Sequence, residues 1–398
     1  MRFLAALAAM TMAVSVAACG SSDSDDSSTG TATTATTTSA AGGGSHEGEV
    51  VKIAVVTDQT GLAAIAGVPE LAGVKFGVDQ VNAANELGGA KLEITSTADS
   101  ATKVPQAVSE VSKAEKDGAD VVLLGAITPE ALAAAPIAQR AGLPLVSMHP
   151  AENLTTVGDH IFTIEPLESS RGPSMADYLK SQGVKRVATL YDSSNPTTAL
   201  AAEKTVPEQA QRGGYEVVSR QSFTTTDTDF SGQVAKTIAA KPDAVFVNGI
   251  GAANNGVISA LRRAGYKGII YGTVSMGGGA IAGAGADAEG VIYTEPFSPG
   301  TTDPVGKQFV ADYKKATGKE PLYFSAAGYD AVQLVAEAVK RITGEIDRDS
   351  LSKAMTEVTE AGMHGAQGSL TFTERQAEAP GLIVEFSGGQ EKVVGGAQ

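Results

Sequence analysis

Residues 51–56 (VKIAVV) and 121–124 (VVLL) are short aliphatic runs bounded by turn residues, with helix-length segments between and after them. This alternation constrains the fold more than any other feature, because strands that regularly exchange with helices assemble into parallel sheets covered by helices on both faces. The first series predicts strands at 51–56, 92–95, 121–124 and 143–147, with helices at 72–84, 104–116 and 129–140. Leu71, Val74, Val78 and Val81 fall on one helical face. Pro129 suits a first helical turn and Gly118 a helix stop. A second series places helices at 175–182, 198–212, 230–239 and 257–264, and strands at 186–191, 215–222, 244–247, 269–271 and 291–294. Pro207 interrupts one of these helices, kinking or splitting it. Helices at 305–317 and 325–342 follow, and 369–372 with 382–386 reads as a late hairpin. The chain is therefore α/β, with two doubly wound parallel-sheet units in series.

Length and composition agree with this. At roughly 150 residues per domain, 398 residues suggest about two to three domains. An apolar share of 42% supports real cores and excludes a wholly disordered chain. The net charge of −15, with no basic stripe, argues against nucleic-acid binding. A single cysteine rules out an intramolecular disulfide framework.

That cysteine closes an N-terminal secretory pattern. Arg2 precedes an apolar run over 3–16 that is too short for a spanning helix, and Val16-Ala17-Ala18-Cys19 follows. The tetrad resembles the bacterial lipobox, which implies a signal at 1–19 and lipidation of Cys19. The protein would then sit on the extracytoplasmic face of the cell membrane. Residues 20–49 are Gly-, Ser-, Thr- and Asp-rich and read as a disordered tether, with His46 an exposed residue of it.

Six runs in order carry a family likeness. They are 51–61 (VKIAVVTDQTG), 74–85 (VKFGVDQVNAAN), 127–154, 165–178 (EPLESSRGPSMADY), 225–230 (TTDTDF) and 327–339 (AGYDAVQLVAEAV). Together they resemble the type I periplasmic binding proteins of ABC importers, in the leucine/isoleucine/valine-binding branch. The resemblance implies two α/β lobes joined by three crossovers, with a ligand held in the cleft between them. It implies lobe one at 50–166 plus 296–345 and lobe two at 167–295 plus 346–398. It also implies ABC permease subunits as partners, a monomer, and no cofactor or metal.

The same resemblance marks the cleft. It places there Thr60 of the first turn and Ala126, Ile127 and Thr128 after the third strand. From the next loop come His149 and Ala151, and from the first crossover Glu168. Asn195, Ile250, Val274 and Ser275 come from lobe-two loops and Phe297 from the second crossover. Thr128 precedes Pro129, so a helix cap competes with a ligand contact. His149 either touches an anionic or aromatic ligand or plugs the cleft, and Phe297 either lines the cleft or packs the hinge. In the branch a hydroxyl stands where Ala151 falls, and the carboxylate that meets the ligand's ammonium stands where Val274 falls. Family aromatics are missing near Ala66, Pro196 and Ile250. A buried ammonium with no counter-charge costs several kcal/mol. The expected ligand is thus a less polar carboxylic acid or amide, unless Glu168 takes over the missing charge.

Other chemistries find little support. His149, His160 and His364 lack close-spaced metal partners, Gly249-x-Gly251 lacks a third glycine, and no P-loop motif occurs. No nucleophile–base pair can be placed, so an enzyme is not expected. A sensory module of the same fold, signalling to a membrane receptor, is the alternative to import.

Overall fold

The computed structural model describes residues 45–125 and 127–396. Cys19, the 1–19 signal, most of the tether and Ala126 lie outside the described residues.

The first lobe is built on β1 (Val50–Thr57), β2 (Lys91–Asp99), β3 (Val121–Gly125), β4 (Leu145–Ser147) and β5 (Ile161–Thr163). They form a parallel sheet in the order β2-β1-β3-β4-β5. β3 is buried along its whole length, as its unbroken aliphatic run requires. One face carries α2 (Val104–Lys116) and α3 (Thr128–Arg140), with Val111, Ala131 and Ala135 in the core. The other carries α1 (Ala64–Ala84), which starts eight residues before the expected 72 and contains Pro69.

The second lobe begins with α4 (Glu168–Ser181) and β6 (Arg186–Asp192). An interrupted helix follows: α5 (Pro196–Leu200), a π-helical turn at Ala201–Thr205, α6 (Val206–Glu208) and α7 (Ala210–Gly213). The π turn lies directly before the segment with Pro207, whose ring and missing N–H rule out a regular helix there. β7 (Glu216–Phe223), α8 (Ser231–Ala239), β8 (Ala244–Asn248), α9 (Ala252–Arg263), β9 (Ile269–Gly272) and β10 (Val291–Glu295) complete the alternation.

The chain then returns to the first lobe as α10 (Pro304–Thr317), α11 (Tyr323–Val339) and α12 (Arg348–Ala361). α11 lies close against α1: a Cβ at Gly77 would stand 3.0 Å from Val332 Cβ, and one at Gly73 or Gly328 would strike the facing backbone. Small residues are what let these two helices approach.

Two expectations change here. Residues 369–372 and 382–386 do not pair with each other. β12 (Gly368–Thr373) pairs with β11 (Met363–Gly365) and β13 (Gln376–Glu378). The β12–β13 turn is made by Glu374 and Arg375, both at positive φ. β14 (Leu382–Ser387) instead joins the second sheet antiparallel to β10 and pairs with β15 (Gln390–Gly396), giving the order β15-β14-β10-β9-β8-β6-β7. The lobe division shifts with it. Leu351, Met355 and Val358 of α12, together with Leu370, bury in the first lobe's core. The third crossing therefore lies near Ala379–Gly381 and not near 345.

His46 is a further correction. It is buried, its backbone N–H donates to Gly88 O at 2.7 Å, and its Nε2 lies 3.0 Å from the Ile342 carbonyl. The expected tether is thus docked by residue 46.

Candidate functional site

A cleft of about 980 Å³, open mouth included, lies between the two sheets at the C-terminal ends of their parallel strands. This is where open α/β sheets place ligands, because loops and helix N-termini converge there.

From the first lobe, Thr128 opens α3. It is not the cap: Ile127 holds the N-cap position, and its N–H donates to Glu130 Oε2 at 3.2 Å. The Thr128 hydroxyl is thus turned to the cleft wall and not to the helix end. It donates to the Pro150 carbonyl at 3.3 Å and lies 2.7 Å from Thr197 Oγ1 of the second lobe. His149 also lines the cleft and is half-buried. Burial, then the nearby Arg171 charge, lower its pKa to about 4, so the imidazole is neutral at physiological pH.

From the second lobe, Asn195 caps α5, its Oδ1 accepting from Thr197 N at 2.9 Å. Ile250 and Val274 add apolar surface. Behind them runs a neutral network: Asn248 Oδ1 accepts from Thr273 Oγ1 at 2.9 Å and from Ser275 Oγ at 3.0 Å. Asn254 Nδ2 donates to Ser275 Oγ at 3.2 Å.

Ile127, Thr128, His149, Glu168, Asn195, Ile250, Val274 and Ser275 are brought together in one cleft. Three expected residues are not among them. Thr60 is exposed and donates to Asp99 Oδ2 at 2.5 Å, outside the cleft. Ala151 is fully buried in the core beneath α3. Phe297 is buried edge-on to Phe309, with ring centroids 5.6 Å apart, so it packs the hinge.

Sequence reasoning missed Leu62, Ile65, Arg171, Thr197, Tyr323 and Phe324. Leu62 and Ile65 line the cleft while 76% and 48% exposed, large apolar side chains with little protein cover. Asn195 followed by Pro196 is a helix-start signature that points to Thr197. Arg171 has its ion-pair partners Glu165 and Glu168 close in sequence, but its packing against Gly381 is made by a distant segment.

Glu168 and Arg171 are the charged residues among the described lining, and they pair with each other, Glu168 Oε2 to Arg171 Nη2 at 3.1 Å. Glu168 Oε1 accepts from Thr294 at 3.3 Å. Burial raises the Glu168 pKa against the downward pull of Arg171. Just behind stands buried Glu165, raised to about 8 by burial in spite of Arg171. Such a site can bind and enclose; it presents hydroxyls, amides and apolar surface, and its ionised groups are already partnered.

Comparison with known proteins agrees. A family model described as periplasmic binding protein matches residues 50–390. The chain is 28% identical over 353 residues to a Leu/Ile/Val-binding protein homolog 4 of Brucella abortus, covering 85% of this chain and 84% of that one. A branched-chain amino acid transporter substrate binding protein of Streptococcus pneumoniae, solved with isoleucine, superposes with a TM-score of 0.76 at 23% identity, covering 87% of this chain and 100% of that one. A solute binding protein of an R. palustris ABC transporter, solved with benzoate, gives 0.75 at 21% identity, covering 87% and 96%. At these identities the two structures speak for the two-lobed α/β fold. The family match covers most of the chain, and with it the protein belongs to the periplasmic binding protein family, extracytoplasmic binders of small ligands and not enzymes.

Proposed function

We propose that this protein is the lipid-anchored receptor of an ABC importer, and that it captures a small organic acid or amide less polar than an α-amino acid. The observation that carries the ligand class is the pairing of Glu168 with Arg171 at 3.1 Å. Among the described residues that line the cleft, no other carboxylate is available to an ammonium group, and the resemblance to the leucine-binding branch puts Val274 at the position of that branch's carboxylate. An ammonium enclosed there would either go unpaired or compete with a guanidinium already in place, and both cost several kcal/mol. The apolar faces of Leu62, Ile65, Ile250 and Val274 suit a hydrocarbon or aromatic body instead. The α3 N-terminus and the Thr128 hydroxyl suit its polar head.

That relatives and fold neighbours include proteins named for branched-chain amino acids and one solved with benzoate supports import of small acids as the general role. The anchor rests on the Cys19 tetrad, and a monomer is proposed with it.

A thermal-shift screen over amino acids, aromatic acids, amides and short-chain acids tests the ligand class. A ligand at about 100 Kd should stabilise the protein by about 2.7 kcal/mol. The same screen on Val274→Glu should move preference toward amino acids. For the anchor, Cys19→Ser should leave the protein unlipidated; normal maturation with equal membrane retention would count against it.

A further inference from the structure

Arg171 heads the large side chains that are fully buried. It sits one turn into α4, directly after the first crossover, and its Nη1 lies 3.6 Å from Glu165 Oε1 on that crossover. Glu295, which ends β10 at the second crossover, feels its charge. At the third crossover its aliphatic stem presses on Gly381, where an added Cβ would stand 2.8 Å from Arg171 Cγ and 3.0 Å from Cδ. One side chain therefore touches the first and third connections between the lobes and acts electrostatically on the second.

Its surroundings are acidic and poorly hydrogen-bonded. Both carboxylate oxygens of Glu165 and of Glu70, Oε1 of Glu295, and Nε and Nη1 of Arg171 are buried without a hydrogen-bond partner among the described residues. Tyr323 of α11 faces Arg171, and His149 faces it from the cleft. Other acids add to the negative charge here: after burial, Glu165 and Asp58 raise the Glu70 pKa, Glu152 raises that of Glu168, and Glu391 of β15 raises that of Glu295. Two buried glutamates, Glu165 and Glu168, thus share one guanidinium.

We propose that Arg171 is the positioning residue of the hinge, holding Glu165 of the first crossover while its stem packs on Gly381 of the third, and keeping Glu168 at the cleft. Lobe rotation about the crossovers alters the separations of these same groups, so opening and the ionisation of the cluster are coupled. The acids all have pKa values displaced upward, Glu165 to about 8, with burial the first cause. Without the guanidinium they shift further, and the penalty grows as pH rises.

The test needs no ligand, so an empty ligand screen would leave it standing. Melting temperature and small-angle scattering are measured on the ligand-free protein at about pH 5.5 and about pH 8.5. Arg171→Met should lose roughly twice as much melting temperature at the higher pH as at the lower, and its radius of gyration should rise only at the higher pH. Adding Glu165→Gln should restore most of the loss, and Arg171→Lys should retain part of the wild-type profile. Should Arg171→Met not fold, Glu165→Gln alone decides: it should flatten the wild-type pH dependence of melting. Equal losses at both pH values with unchanged scattering, or a Glu165→Gln profile identical to wild type, would overturn the proposal.

Discussion

At its hinge end the cleft is bounded by Arg171, fully buried, with Glu168 and Tyr323; at its mouth it is bounded by Leu62 and Ile65, 76% and 48% exposed. The two ends invert the usual rule that charge stays outside and apolar surface inside. Buried charge survives only with partners, and here the partners are internal: Glu165 and Glu168 flank Arg171. Exposed apolar surface in a concave site is what a ligand covers. The contrast teaches where this protein spends its ionic interactions. Within the cleft they gather around Arg171 at the first crossover, and the surface left for recognition is neutral.

Removing the guanidinium strikes the hinge end hardest. Arg171→Met strands buried carboxylates and should cost about 3–5 kcal/mol by urea unfolding at neutral pH. A cost under about 1 kcal/mol would mean the cluster is not held by charge.

The pH dependence of stability comes next. Glu165 has a folded pKa near 8 against an ordinary value of 4.5. The folded state therefore binds the extra proton, and stability falls as pH rises from about 4.5 through about 8. His149 acts in the opposite sense over a lower window: its folded pKa of about 4 against 6.5 removes stability as pH falls below 6.5. Denaturation across this range should show a maximum on the acid side of neutrality, and Glu165→Gln should reduce the alkaline slope, the other raised acids supplying the rest.

At the recognition surface the effects are smaller. Thr128→Val deletes a hydroxyl that bonds Pro150 and Thr197, and should weaken ligand binding by about 1–3 kcal/mol. Thr60→Val is the matched control: its hydroxyl bonds Asp99 away from the cleft, so affinity should stay within about 0.5 kcal/mol. Equal effects from the two would erase the distinction between wall and surface. Asn195→Ala, which removes the α5 cap, should cost about 1 kcal/mol of stability.

How much of this was legible beforehand divides along the same line. Aliphatic runs such as 121–124 and amphipathic faces such as Val74, Val78 and Val81 declare themselves, because burial of each element is encoded in its own residues. Thr128 was legible as a helix start, although it turned its hydroxyl to the cleft wall once Ile127 took the cap. Arg171 was not, because its neighbours Glu295 and Gly381 arrive from more than a hundred residues away. The third crossover failed for the same reason: Leu351, Met355 and Val358 give α12 a helical period, but no local signal says which of the two cores it joins. His46 looked like tether from composition, and only Ile342, far along the chain, gives it a place.

Calorimetric titration of the unmodified protein with leucine, alongside benzoate and benzamide, tests the neutral recognition surface most directly. Losing one charge-assisted hydrogen bond of about 1.5–3 kcal/mol lowers affinity roughly ten- to hundredfold. Leucine should therefore bind more weakly than about 0.1 mM, with an aromatic acid or amide binding more tightly. Micromolar leucine binding, lost in Glu168→Gln, would contradict the account: the hinge-end carboxylate would then be serving the ligand and not Arg171.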